Sequence, residues 1–380
     1  MTERVVVVGG GTGGTVLANK LAEKLGPAVD AGDAELVLVD ETPDHVYKPL
    51  WLYVAFGQAD PAEARRPLDD LLHRRVRLRV DRVTDVDTDA RRLSLAEGAG
   101  LDYDHLVLAT GSRLAPDRVE GLRDGAHDFY SAAGAERLGE ALAGFDGGRV
   151  VLSVAGLPHM CPAAPVEFTL MLEDWLRERG LREDSEVAYT FPLDGSHKLP
   201  PVDEWASERF ADRGIEAHTG FAVDRVDPDD RRLHAADGRS VGYDLLVAIP
   251  PHTGDDLVTE AGLGDDGWVE TDDRTLEAVR ADDVYALGDT TDLERPMAGS
   301  VAHYQAGTVA DRIAARIRGT APTATYDGTV VCFLEAGMDE ATYVSFDYDS
   351  MPVLRDESQM IHWAKRAYNE SYWLTARGLV

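Results

Sequence analysis

The chain has two cysteines, Cys161 and Cys332, and a thiol is a side chain well suited to nucleophilic redox chemistry. Cys161 lies in a loop stiffened by Pro162 and Pro165, just before a helical segment. Because the positive end of a helix stabilises a thiolate, this position predicts a lowered pKa and a reactive nucleophile; an inert buried cysteine is the alternative. Two cysteines are too few for a secreted disulfide framework and indicate a reducing compartment, but they suffice for one redox-active pair.

A glycine-rich turn near the start of the chain has the spacing of a phosphate-binding loop. Gly9, Gly11 and Gly14 form G-x-G-x-x-G after a strand predicted over Val5–Val8 and at the start of a helical segment. Glycine permits the tight turn and the approach of backbone to a pyrophosphate, and the helix N-terminus attracts the phosphates. After a predicted loop, "GPAVDAGDA", the next strand ends in Asp40, a carboxylate suited to a ribose diol. Together these features predict a dinucleotide site.

Two later segments favour FAD over NAD as that dinucleotide. Thr110 and Gly111 end a predicted strand with small residues that let the backbone pass close to an adenosine end. Gly288 and Asp289 end another, and the aspartate is suited to accept a hydrogen bond from a ribityl hydroxyl. In this order the segments resemble the flavoproteins with two dinucleotide-binding domains, the superfamily of the disulfide reductases. The resemblance implies that both segments belong to an FAD site.

An internal repeat predicts the architecture. The stretch "DVDTDARRLSL…LDYDHLVLATG" returns as "RVDPDDRRLHA…VGYDLLVAIPP", and "RVVVVGGG" returns as "RVVLSVAG". The offset is constant within the first stretch and pairs Arg91 with Arg231, Leu93 with Leu233 and Tyr103 with Tyr243. Each copy contains a β-branched strand, a helical segment and further strands.

The repeat therefore predicts an α/β protein with two tandem Rossmann-like, three-layer domains and a C-terminal segment that carries an amphipathic helix. We assign residues 1–116 and 280–320 to the FAD domain. Residues 117–279 form the second domain, a degenerate NAD-type unit, and residues 321–380 form the C-terminal segment at the flavin interface.

The second copy has lost its nucleotide fingerprint. Val154 and His159 stand where the first copy has Gly9 and Gly14, and Pro158 lies in the turn. A β-branched valine does not readily adopt the backbone shape that glycine allows, so tight binding of NAD(P)H is not expected here. Cys161 takes the place of the nucleotide phosphates.

The motif C-P-x-A-P-x-E from Cys161 to Glu167, with Cys332 in the late segment "VCFLE", resembles the sulfide:quinone oxidoreductases and the flavin subunit of flavocytochrome c sulfide dehydrogenase. The resemblance implies that the two cysteines form a redox pair at the flavin ring and that Glu167 is an acid/base. It also implies a site role for His197, with His159 as a further candidate. An ordinary first-turn helix acid and solvent-facing loop histidines are the alternatives.

The resemblance implies FAD-dependent oxidation of sulfide to persulfide or polysulfide sulfur, with electrons passed to a quinone. Three alternatives stay open: a cytochrome or other soluble acceptor, an NADH:quinone oxidoreductase, and a non-enzymatic sulfur carrier or electron-transfer partner. Tyr130 and Gly134 stand where some relatives have a third cysteine and a histidine. The segment "ETPDHVYKPLWLY" has no cysteine for covalent attachment, so FAD is expected to be dissociable.

The formal net charge is −31, and Lys20, Lys24, Lys48, Lys198 and Lys365 are the only lysines among 38 basic residues. This composition predicts a salt-adapted, halophilic protein that does not bind nucleic acid. We expect no metal site. No signal peptide or membrane-spanning run is recognisable, so we predict a cytoplasmic protein, and a homo-oligomer stays open.

A last helical segment is predicted to lie on the inner face of the cell membrane, where a lipid-dissolved quinone is met. Its alternative role is to cap the core or a dimer face. The proposed apolar side comprises Met360, Ile361, Ala364, Ala367, Tyr368, Ser371, Tyr372 and Thr375, and the polar side Gln359, His362, Lys365, Arg366, Asn369 and Glu370. Earlier in the chain, His303 and Tyr304 are candidates for contact with the flavin ring.

Overall fold

The computed structural model describes residues 2–378, and its first sheet is built around the valine run that opens the chain. This central strand is buried on both faces, which explains why it is an unbroken apolar run. All neighbouring strands in the sheet are parallel. Their order across the sheet is Val284–Ala286, His105–Leu108, Glu3–Val8, Ala34–Asp40 and Val76–Val80.

A second parallel sheet repeats the first with the same register. Val5 pairs with His105 in the first sheet, and the repeat-equivalent residues Val150 and Leu245 pair in the second. The strand order is Glu216–His218, Ser185–Thr190, Gly148–Val154 and Leu245–Ile249. The prediction of two tandem Rossmann-like domains is therefore confirmed, while the domain boundaries stay a prediction.

Each copy also carries a three-stranded antiparallel sheet, as expected from the repeated hairpin sequence. The strands are Val83–Asp87, Arg92–Leu95 and Leu101–Asp102 in the first copy, and Val223–Asp227, Arg232–Ala235 and Ser240–Gly242 in the second. Shorter strand pairs are Asp44–Val46 with Arg65–Pro67, Arg113–Leu114 with His252–Thr253, and Gly264–Asp265 with Trp268–Val269.

Helices cover the sheets, and the helix that follows the glycine loop packs against the long helix Gly299–Ile317. The sequence predicts a loop for the segment "GPAVDAGDA", but Gly26–Ala31 is helical, with a proline in its first turn and Gly32 in the left-handed cap. The α-helices are Thr12–Lys24, Gly26–Ala31, Leu50–Ala55, Leu68–Leu71, Leu122–Gly125, Ala132–Ala143, Ala164–Glu178, Pro200–Asp212, Asp256–Glu260, Gly299–Ile317 and Gln359–Ala376. Short 3-10 turns are Pro61–Ala64, Pro116–Arg118, Arg182–Asp184 and Gly288–Thr290.

The C-terminal segment is a three-stranded antiparallel sheet followed by one helix. The sheet comprises Val330–Glu335, Ala341–Phe346 and Val353–Leu354. The C-terminal helix, Gln359–Ala376, is capped at its N-terminus by Ser358, whose side chain accepts a hydrogen bond from the backbone of Ile361. This helix packs both on the sheet and on the helix that follows the glycine loop, so it joins the end of the chain to the beginning.

The faces of the C-terminal helix differ from the sequence prediction. The polar residues His362, Lys365 and Asn369 are buried, because partners elsewhere in the chain hydrogen bond to them. Met360 and Trp363, by contrast, are 78% and 68% exposed. Within residues 2–378, none of the helices has the length and apolar content needed to cross a membrane.

Candidate active site

One cavity of about 910 Å³ brings together most of the residues singled out in the sequence. It is lined by the glycine loop, the loop of the second copy that carries Cys161, the helix Gly299–Ile317 and the C-terminal segment. Gly14 and His197 do not line it. The predicted residues that do are Gly9, Gly11, Asp40, Thr110, Gly111, Gly288, Asp289, Cys161, Cys332 and Glu167.

The glycine loop has the shape required for a dinucleotide. A Cβ atom at Gly9 would collide with the carbonyl of Ala109, and one at Gly14 would collide with the carbonyl of Gly9. Gly14 therefore serves packing rather than the cavity wall. A Cβ at Gly11 would meet no atom within 4 Å, because this residue faces open cavity. The backbone is thus bare where a pyrophosphate approaches.

Two carboxylates mark the ends of the dinucleotide site. Asp40 accepts hydrogen bonds from the backbone of Gly10 at 2.6 Å and of Thr42 at 2.8 Å, which fixes its carboxylate at the cavity edge. Burial raises the pKa of Asp289, and the charge of Lys48 offsets only part of that effect. A bare glycine loop with a carboxylate at each of two strand ends fits FAD.

The loop of Cys161 is held firmly. The residue has a left-handed backbone with a φ of 51°, and its N–H donates to the carbonyl of Met297 at 2.7 Å. The hydroxyl of Tyr130, at the position of the missing third cysteine, donates to the carbonyl of Cys161 at 3.2 Å. Strained backbone of this kind persists where neighbouring contacts over-determine it, and it is common at functional sites.

The prediction that Cys161 has a lowered pKa is wrong for the structure as it stands. Burial, followed by the charges of Glu167 and Cys332, raises the pKa of Cys161 to about 12. Burial likewise raises the pKa of Cys332 to about 11, although a hydrogen bond with Ser300 opposes the rise. Desolvation of a thiolate outweighs the helix dipole here. Both thiols are free and line the same cavity, whereas their pairing stays a prediction.

Glu167 belongs to a buried charged cluster that the sequence did not reveal. Its carboxylate forms an ion pair with Lys365 of the C-terminal helix and accepts a hydrogen bond from the backbone of Glu335 at 2.8 Å. The carboxylate of Glu335 lies 3.6 Å from the amine of Lys365 and accepts from the hydroxyl of Tyr53 at 2.5 Å. His362 contacts the other oxygen of Glu335 at 2.9 Å. We call these five residues the acid–lysine cluster.

The two carboxyl groups of the acid–lysine cluster differ in their pKa. Burial raises the pKa of Glu167 even though Lys365 opposes the rise. Burial also acts to raise the pKa of Glu335, but Lys365, His362 and Tyr53 together hold it below its usual value. Burial acts to lower the pKa of Lys365, but its interactions with Glu167, Tyr53 and Glu335 together outweigh burial and raise the pKa well above its usual value, so the amine stays charged. Glu167 is therefore the carboxyl group more ready to carry a proton.

Neither His197 nor His159, the histidines predicted for the site, lines the cavity. His197 is buried and accepts a hydrogen bond from the backbone of Leu199 at 3.0 Å, so it neither faces solvent nor lines the cavity. Burial lowers the pKa of His159 and of His197 to about 4 each, which leaves both neutral. A direct catalytic role for His197 stays a prediction. His303 and Tyr304 do line the cavity.

Comparison with known proteins shows the family to which the chain belongs. The family model described as pyridine nucleotide-disulphide oxidoreductase matches residues 3–157 and 194–306. The chain is similar to the mitochondrial sulfide:quinone oxidoreductase of Mus musculus, at 23% identity over 92% of this chain and 79% of the relative. It is also similar to the mitochondrial sulfide:quinone oxidoreductase of Dictyostelium discoideum, at 26% identity over 97% of this chain and 85% of the relative.

Among solved structures, the sulfide:quinone oxidoreductase of Aquifex aeolicus has the same fold, with a TM-score of 0.87 and 22% identity over 99% of this chain and 92% of that one. The resemblance predicted from the sequence motifs is confirmed.

Proposed function

The chain belongs to the pyridine nucleotide-disulphide oxidoreductase family, and from this premise we propose that it oxidises sulfide to persulfide or polysulfide sulfur and passes the electrons to a quinone. The protein is an FAD-dependent oxidoreductase. The observation that carries the proposal is that Cys161, Cys332 and the dinucleotide loop line a single cavity. The names of the similar proteins supply the substrate pair.

The proposed chemistry starts from an oxidised Cys161–Cys332 disulfide. Hydrosulfide attacks one sulfur, the S–S bond breaks, and the products are a cysteine persulfide and a cysteine thiolate. Bound FAD supplies the two-electron relay between the thiols and the quinone. Oxidation of hydrosulfide to sulfane sulfur releases two electrons and one proton. A quinone takes up two electrons and two protons, so one further proton comes from solvent.

Glu167 is the proposed proton carrier of this reaction. Its raised pKa keeps the protonated form accessible, and its position on the cavity wall lets it exchange a proton with a bound reactant. Lys365 is proposed to hold the carboxylate in place after the proton has left, because the two groups form an ion pair. We propose that His197 supports the Cys161 loop through a contact with the backbone of Pro162.

The alternative of NADH as electron donor finds less support in the second domain. The third glycine of the first copy is replaced by His159, which is buried, and its imidazole contacts the carbonyl of Met160 at 3.0 Å. The loop thus places side chains where a nicotinamide dinucleotide needs bare backbone. Tyr130 and Gly134 further favour a mechanism with two cysteines rather than three.

We propose that the protein meets its quinone at the cytoplasmic face of a membrane through the exposed side of the C-terminal helix. Met360, Trp363 and Leu374 are exposed on this helix, which also forms part of the cavity wall. Apolar and aromatic side chains of this kind insert into the interfacial region of a bilayer. The net charge of −31 makes such contact dependent on salt or on a neutral lipid surface.

The acceptor is tested by steady-state turnover with sulfide in the presence of either a short-chain ubiquinone or cytochrome c. We expect sulfide-dependent reduction of the quinone that is at least about tenfold faster than that of cytochrome c, because apolar and aromatic side chains such as Trp51, Phe333 and Tyr368 line part of the cavity. Faster cytochrome c reduction would instead support the soluble-acceptor alternative. Absence of turnover with both acceptors would support a sulfur carrier.

A further inference from the structure

The C-terminal helix is hydrogen-bonded to the glycine loop through a continuous chain of side chains. The hydroxyl of Thr12, in the glycine loop, lies 2.7 Å from the hydroxyl of Tyr372. That hydroxyl contacts Nε2 of His45 at 2.8 Å, and Nδ1 of His45 contacts the hydroxyl of Thr15 at 3.0 Å. Thr15 in turn donates to the carbonyl of Gly10 at 2.8 Å.

The donor and the acceptor can be assigned for each hydrogen bond that links Thr12 to Gly10 through these side chains. Burial lowers the pKa of His45 to about 4, so the imidazole is neutral and carries one N–H. Since Thr15 uses its proton on the carbonyl of Gly10, the Nδ1–H of His45 donates to Thr15. Nε2 then accepts from Tyr372, and Thr12 donates to Tyr372. Each group has a compatible partner, so the connection is a specific one.

Two further contacts hold the helix in the same place. The ring of Tyr47 stacks on that of Tyr372 with centroids 3.7 Å apart. The amide of Asn19, on the helix that follows the glycine loop, donates to the carbonyl of Ala376 at 2.9 Å. The C-terminal helix therefore lies firmly against the first dinucleotide-binding unit.

Asn369 points from this helix toward the dinucleotide cavity. It is 8% exposed, and its Oδ1 accepts a hydrogen bond from the hydroxyl of Tyr47 at 2.7 Å. Its Nδ2 is buried without a hydrogen-bond partner among residues 2–378, yet the residue lines the cavity. A buried side-chain amide whose oxygen accepts a hydrogen bond but whose nitrogen has no acceptor is energetically unfavourable, unless a ligand accepts a hydrogen bond from that nitrogen.

We propose that the C-terminal helix is a wall of the FAD site: the amide of Asn369 donates a hydrogen bond to the bound dinucleotide, and Tyr372 ties the helix to the phosphate-binding loop. The helix thereby retains a cofactor that is not covalently attached. Binding is reciprocal, so FAD also stabilises the docked helix. The proposal rests on FAD as cofactor and not on sulfide or quinone, so its failure is distinct from failure of the proposed function.

The test measures how fast the holoenzyme releases FAD after dilution, followed by the fluorescence of free FAD. We expect Asn369→Leu to release FAD about five- to tenfold faster, the effect of one lost hydrogen bond, and Tyr372→Phe to accelerate release by a similar factor. Glu370→Gln is the matched control, since Glu370 is exposed on the same helix, and it should stay within about twofold of the unaltered protein.

Release from Asn369→Leu at the rate of the unaltered protein would overturn the proposal. So would an unchanged release rate accompanied by a raised KM for the quinone, which would assign the amide to the quinone instead. Hydrogen exchange of residues 359–376 in the unaltered chain gives a second measurement that needs no variant. FAD should slow exchange there, and equal exchange with and without FAD would contradict the coupling.

Discussion

Replacement of Cys161 by serine is expected to abolish the bleaching of bound flavin by sulfide, with a loss of at least about a thousandfold in the rate of flavin reduction. With one thiol left, no intramolecular disulfide exists for hydrosulfide to attack, and a serine hydroxyl carries no persulfide. Replacement of Cys332 by serine should have an effect of the same size, because the proposed pair acts as a unit. Anaerobic stopped-flow absorbance of the flavin measures both rates.

A chemical control separates loss of the thiol from loss of a working flavin. Dithionite should reduce the flavin of both serine variants as it does in the unaltered protein, since this reductant needs no cysteine. If either variant keeps sulfide bleaching within about tenfold of the original rate, the redox pair of Cys161 and Cys332 is refuted. FAD and quinone would then need a different route to sulfide.

Replacement of Lys365 by methionine is expected to lower the free energy of unfolding by about 3–5 kcal/mol, because it leaves the carboxyl groups of Glu167 and Glu335 buried without their cation. Both side chains are at most 4% exposed, so solvent screening is weak. Chemical denaturation of the FAD-loaded protein at several pH values gives the measurement. The helix that carries Lys365 should also become easier to detach.

The pH dependence of this destabilisation has a definite sign. Without Lys365, the folded pKa of Glu167 rises further above its unfolded value of 4.5, so the folded state binds the proton more tightly than the unfolded state does. The variant therefore loses stability as the pH rises above about 4.5, and its deficit is smallest in acid. Its deficit relative to the unaltered chain should thus be larger at pH 8 than at pH 5.

The double variant Glu167→Gln with Lys365→Met is the matched control for the same measurement. It removes the carboxyl group that forms the ion pair with the lysine. We expect its free energy of unfolding to exceed that of the single lysine variant by at least about 1 kcal/mol. A loss under about 1 kcal/mol for Lys365→Met alone, typical of an exposed ion pair, would contradict the buried cluster.

The repeated architecture could be predicted because local sequence patterns determine it. Valine runs specify buried parallel strands, the glycine spacing specifies the turn, and the correspondence between the two copies reappears as matched register. The cavity residues that end these strands, such as Asp40 and Asp289, follow from the same logic, since parallel strands present their carboxyl ends at one edge.

The acid–lysine cluster could not be predicted because its members are far apart in the chain. Glu167 and Lys365 are joined only when the C-terminal helix docks, and a helix pattern alone does not tell which polar residues face inward. The isolation of Lys365 in a lysine-poor chain was the one available signal. The raised pKa of Cys161 could not be predicted for a related reason: the position of the residue before a helix is a local feature, whereas its burial depends on the whole fold.

We propose that electrons enter this flavoprotein from sulfide at the two cysteines and not from NADH at the second domain. An anaerobic titration of the purified, FAD-loaded protein tests it directly, with sulfide in one series and NADH in the other, followed by flavin absorbance. We predict full bleaching by near-stoichiometric sulfide and no rapid bleaching by an equal amount of NADH. Rapid bleaching by NADH with none by sulfide would contradict the account.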